Sequence, residues 1–162
     1  MKILQKEFEK ANTFSELFEL VKIVVKESLN MERTGLMLSL SELGVQPNGF
    51  VGGYHPVGSN VIVMNKTATD LVDHVNPEIS KAYRFHILLH EYLHTLGILD
   101  EENVRAVAYV VSKKAFGGKH PVTMVSARFG EILKGMSYDI KPRSSGIEIV
   151  NDFDISNVSY IG

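Results

Sequence analysis

Three side chains in the pentapeptide His90-Glu91-Tyr92-Leu93-His94 have the types and spacing of a metal-bound hydrolytic centre. If the segment FHILLHEYLHTL is helical, the two imidazoles share one face, one turn and ~6 Å of rise apart. Both rings then reach one ion, and Glu91, beside the first of them, reaches a water held at that ion. This is the minimal geometry for zinc-activated water, with the glutamate as general base. A pair of helix histidines without metal is the competing reading. It has to explain why polar groups occupy an apolar helix, where each costs free energy unless it finds a partner.

Such a site needs a third ligand. A helix continuing past Leu96 would carry Glu101 ~10 Å along the axis from His94, too far to share an ion. Gly97 lets the chain reverse, and the acids Asp100, Glu101 and Glu102 then come back toward the histidines. Asp100 also precedes a helical pattern, where aspartate is a favoured N-cap. Glu101 and Glu102 would complement the dipole of that helix.

The elements that must position these groups are legible in outline. Residues 3–11 read as a short helix. Phe14 to Leu29 reads as a firmer one, with Thr13 and Glu16 in capping-box spacing and Phe14, Leu17, Phe18, Val21, Val24 and Val25 as its apolar stripe. Residues 35–65 are β-rich: GLMLSL, then FVGGY and NVIVMN joined by the turn-like HPVGS. A short helix is expected near Ala68–Asp73. Asn76-Pro77 is a start signal for the helix that runs to Leu96 and carries the histidines. Helices over 101–116 and 121–134 follow. The tail over 146–162 is β-prone and is expected as an edge strand or as a segment lying in the cleft.

The segment around His90 resembles the active-site helix of zincin metallopeptidases. The spacing HExxHxxGxxD, carried by His90, Glu91, His94, Gly97 and Asp100, is similar to the extended motif of metzincins. That resemblance implies Asp100 as the third ligand of a zinc ion, Glu91 as the base in peptide-bond hydrolysis, and a methionine turn, for which Met124 and Met136 are candidates. The gluzincins take their third ligand from a glutamate on the next helix, a role that Glu101 or Glu102 would fill here. The stretch GFVGGYHPVGSNVIVMN is similar to the strand–turn–strand ahead of this helix in small zincin-like peptidases. It implies an edge strand to which substrate backbone adds, with Tyr54 and His55 at the substrate cleft. The implied fold is α+β, a small mixed sheet packed on a central HExxH helix with several other helices. The likeness covers roughly residues 50–102. Zincin relatives also include inactive or latent forms, and Asp152 and Asp154 in the tail are candidates to cap a metal.

Composition narrows the function further. The 162 residues suit one domain, 1–162, with a sizeable core. A net charge of −2 offers no bulk attraction to nucleic acid or to an anionic membrane, and the partner that the zincin resemblance implies is a peptide or protein substrate. With no cysteine, any ion must be held by His, Asp or Glu. The charged N-terminus lacks an apolar signal core, which makes a cytoplasmic location the expectation. The remaining histidines carry weaker signals. His86, one turn before His90, reads as a partly exposed structural group, and His120 and His74 read as loop or surface residues.

Overall fold

The computed structural model describes residues 2–133 and 138–154, apart from the side chains of 144–146. It is an α+β domain. Helices α1 (Lys2–Lys10), α2 (Phe14–Leu29), α3 (Lys66–Val75), α4 (Ser80–Thr95), α5 (Glu101–Phe116) and α6 (Pro121–Ala127) accompany strands β1 (Met37–Glu42), β2 (Gly53–Tyr54), β3 (Val61–Asn65) and β4 (Arg143–Val150). The sheet order is β2-β3-β1-β4, with β1 and β3 parallel and both edge strands antiparallel to their neighbours. Among the described residues no helix is long and apolar enough to cross a membrane.

Helix α4 lies at the centre of the domain. Tyr83, Phe85, Leu88, Leu89, Tyr92 and Leu93 are fully buried on several of its sides. It packs on α2, α5, α6 and the β2–β3 end of the sheet. From the sheet, Leu38, Leu40, Ile62 and Met64 enter the core, paired in register as Leu38–Ile62 and Leu40–Met64. Helix α2 closes the other side through Leu17, Phe18, Val21, Val24 and Val25. Its capping box is formed. Thr13 Oγ1 accepts from the Glu16 amide at 3.1 Å, and Glu16 Oε1 accepts from the Thr13 amide at 3.2 Å.

Buried Asn65 fixes the chain leading into β2. Its Oδ1 accepts from the Leu43 and Thr67 amides, and its Nδ2 donates to the carbonyls of Gly44 and Val51. One side chain therefore caps α3 and ties down the loop that delivers the edge strand.

Some boundaries differ from the sequence reading. Pro77 opens a single 3₁₀ turn, Asn76 makes no side-chain cap bond, and α4 begins only at Ser80. The helix expected over 121–134 ends at Ala127. There Arg128 leaves helical geometry and Phe129 stacks on Tyr83 with ring centres 5.9 Å apart. Strand β4 forms the sheet edge opposite β2, and residues 151–154 after it pack toward α2. Phe153 stacks on Phe18 at 4.3 Å. The Asp154 carboxylate accepts from the Leu36 amide at 3.0 Å and meets Lys22 Nζ at 2.5 Å. Asp154 thus cannot cap a metal at His90, and residues 155–162 lie outside the described residues.

His120 is not a free loop residue. Its Nδ1 accepts from the Val122 amide at 3.1 Å, capping α6, and its ring stacks on Phe116. Burial holds this imidazole below its ordinary value, against an upward pull from Glu9. A histidine depressed in the folded state contributes stability that is complete above the unfolded value of 6.5 and is lost as pH falls below it. Protonating Nδ1 also abolishes the cap. The melting temperature should therefore drop more steeply from pH 6.5 to about pH 5 in the natural chain than in His120→Asn, which caps but cannot titrate. Equal slopes in thermal melts would remove His120 from the acid response.

Candidate metal centre

The geometry of the centre begins with how α4 stops. Gly97 has φ +99°, a conformation that side chains with a Cβ rarely adopt. The Gly97 amide bonds the His94 carbonyl at 3.0 Å and the Ile98 amide bonds the Leu93 carbonyl at 3.3 Å, a Schellman arrangement. The turn swings the Ile98 carbonyl under the His94 ring, 2.7 Å from Nδ1. A carbonyl only accepts, so Nδ1 carries the proton and Nε2 faces outward.

The chain then re-enters a helix. Asp100 Oδ2 accepts from the Asn103 amide at 2.8 Å, the N-cap of α5. This corrects the expectation for Asp100, since its carboxylate is turned to the helix end and not to the imidazoles. Glu101, the first residue of α5, faces them instead. Its Oε2 lies 3.1 Å from His90 Nε2 and its Oε1 lies 2.7 Å from His94 Nε2. The two rings are 4.9 Å apart. One carboxylate therefore bridges both histidines.

These contacts suit a cation. His94 already donates from Nδ1, and both the Ile98 carbonyl and the Glu101 carboxylate are acceptors. A proton or a metal ion lying between Nε2 and that carboxylate satisfies both. A tetrahedral ion with nitrogen and oxygen ligands at ~2.0–2.1 Å spaces those ligands about 3.3 Å apart. The contacts at 3.1 and 2.7 Å place Glu101 oxygens beside both Nε2 atoms, so the donor types suit a nitrogen- and oxygen-ligated ion.

Glu91 completes the group. The ligand atoms of His90, Glu91 and His94 all lie within 4.8 Å of one another. Glu91 is only 3% exposed, and its Oε1 is buried without a hydrogen-bond partner among the described residues. Burial, and to a smaller degree the charge of Glu101, pushes its carboxyl up to about 8. Burial lowers His90, outweighing the upward pull of Glu101. Glu101 is held below the usual carboxylate range: burial would raise it, but attraction to His90 and the contacts with both rings prevail. A neutral imidazole and an ionised carboxylate are the forms that bind metal.

A cleft of about 590 Å³ opens over this group, lined by Phe50 to Tyr54, Glu101, Arg105, Ser126, Ala127, Phe129 and Gly130. Strand β2 runs very close to α4. A Cβ on Gly52 would meet Ile87 Cδ1 of α4 at 2.4 Å, and one on Gly53 would meet Ile87 Cγ2 at 3.1 Å and the Val63 carbonyl of β3 at 2.7 Å. Two glycines are thus the condition for the edge strand to lie along the metal-site helix.

The other sequence-predicted residues fall as follows. Tyr54 is exposed at the cleft wall. His55 is turned into its own hairpin, where Nδ1 donates to the Val61 carbonyl at 2.8 Å, and it does not line the cleft. Glu102 is exposed. Met124 is also exposed, on α6, and Met136 lies outside the described residues. His86 is buried rather than partly exposed. Its ring packs on Phe129, its Nδ1 has no partner, and burial lowers it to about 3. Sequence reasoning missed Phe129 and Arg105 in the cleft. Arg105 was recoverable, being one helical turn beyond Glu101 on the same face. Comparison of the chain with family models, with curated proteins and with solved structures gives no match.

Proposed function

We propose that this chain is a zinc-dependent metallopeptidase of zincin type, with His90, His94 and Glu101 as metal ligands and Glu91 as general base. The observation that carries this reading is the Glu101 carboxylate, which spans both Nε2 atoms beside a buried, unpartnered Glu91. The ligand set follows the gluzincin pattern, with the glutamate taken from the next helix, rather than the metzincin pattern.

A zinc ion bound there would polarise the scissile carbonyl and acidify the attacking water. Glu91 takes a proton from that water as it attacks and delivers it to the leaving amine nitrogen. His94 is held in one tautomer by the Ile98 carbonyl. The outer edge of β2 offers backbone groups to an extended peptide, which would add to the sheet as a further strand beside Glu91. The substrate class is therefore an unfolded or extended polypeptide.

The test is zinc content together with cleavage of an unfolded protein. We expect one zinc per chain, hydrolysis that stops on chelation, and recovery when zinc is restored. A chain that takes up no stoichiometric zinc at saturation would overturn the metal centre. A zinc-loaded chain that cleaves no peptide would overturn the hydrolase.

A further inference from the structure

Among the described residues lining the cleft, Arg105 is the one lysine or arginine, and the proposed chemistry does not use it. Arg105 lies one turn beyond Glu101 on α5, is exposed, and lines the cleft together with His90 and Glu91. A glutamate four residues ahead of an arginine on a helix ordinarily pairs with it. Here both Glu101 oxygens are engaged with the histidine rings. Among the described residues Arg105 has no ion pair and no side-chain hydrogen bond; the contacts of Glu101, four residues before it, are to histidine, and Glu102, three residues before it, is exposed and outside the cleft lining. The rest of the lining gives it no other anion. Glu91 is buried in the wall, and Phe50, Tyr54, Ser126 and Phe129 are neutral.

Resting on the peptidase reading, we infer that Arg105 is a specificity-determining residue that recognises a carboxylate on the peptide in the cleft. A guanidinium offers donors in a planar fork that matches a carboxylate in two-point contact. The carboxylate has two sources, an acidic side chain or the chain-terminal carboxyl group. Both would meet a site where Glu91 is buried in the wall and the exposed Glu101 carboxylate is engaged by the two imidazoles. Because Arg105 is exposed, the discrimination is moderate, and it weakens with salt.

The experiment uses the zinc-loaded Glu91→Gln chain, which binds without turnover, and fluorescent peptides read by anisotropy. In an amidated host peptide a single Glu or its isostere Gln is walked through each position. A neutral host is compared as free acid and as amide. We expect at least one acidic form to bind about tenfold more tightly than its neutral twin. Arg105→Gln should abolish that difference, Arg105→Lys should restore part of it, and Arg105→Glu should favour a Lys peptide instead. A preference at an internal position identifies the side chain as the source, and a preference for the free acid identifies the chain end. In the unmutated chain the gain should appear in KM more than in kcat. No discrimination at any position, or discrimination that persists in Arg105→Gln, would overturn the assignment. Acid-selective binding without cleavage by the unmutated chain would sink the peptidase and leave Arg105 standing. Cleavage without acid selectivity would do the reverse.

Discussion

Replacing Glu101 by glutamine should lower zinc affinity at least about a hundredfold, while replacing neighbouring Asp100 by asparagine should leave it unchanged. The lower bound follows from metal sites in general, where losing only an outer-shell partner costs about 10–100-fold in affinity. Glu101 touches both imidazole nitrogens, so its loss removes the single negative charge that faces them and the third donor together. Glutamine retains the shape but neither the charge nor two equivalent oxygens. Asp100, by contrast, works for the helix. Its oxygen accepts from the Asn103 amide, and asparagine serves as an N-cap about as well as aspartate. Asp100→Ala should cost about 1 kcal/mol of stability as a lost cap, again without a change in zinc affinity. Competition with a chromophoric chelator measures the affinities, and zinc-dependent melting supplies a second reading through the stabilisation expected of a native-state ligand. A hundredfold loss in Asp100→Asn, or none in Glu101→Gln, would reassign the third ligand.

That contrast shows where the sequence stops being informative. His90, Glu91 and His94 sit at helical spacing in an apolar run, and the structure brings their ligand atoms together as that spacing requires. Gly97 marks the reversal, and it occupies the left-handed turn that its lack of a Cβ permits. The choice among three consecutive acids is different. One residue of helix is a 100° rotation, so the outcome depends on whether α5 begins at 100 or at 101. The cap preference of aspartate was the available clue, and it points Asp100 to its own helix and leaves Glu101 for the metal centre. The same limit appears at Asn76-Pro77, a formal start signal whose proline opens a 3₁₀ turn ahead of the helix. The cleft wall was beyond local reading altogether. Phe129 reaches Tyr83 and His86 from about forty residues away, and no periodicity encodes that meeting. Gly52-Gly53 could be seen as a place of close backbone approach, but not what approaches it.

The second large effect is on turnover. Glu91→Gln should lower kcat by about 10²–10⁴-fold, the usual contribution of a positioned general base, with zinc content and affinity unchanged. Zinc is expected to stay because the ring nitrogens are oriented by groups other than Glu91, namely the Ile98 carbonyl and the Glu101 carboxylate. The fold is expected to stay because Glu91 contributes no hydrogen bond through Oε1 and is nearly excluded from solvent. A carboxylate in that setting is a burden on stability when ionised, so an uncharged isostere of the same volume should melt at the same temperature or higher. The combination separates a catalytic role from a structural one. Loss of turnover with a lower melting temperature and less zinc would make Glu91 part of the scaffold. Undiminished turnover would show that proton transfer runs through some other group. Only a zinc-replete, equally stable and inactive Glu91→Gln chain fits a base that stands beside the metal centre without holding it together.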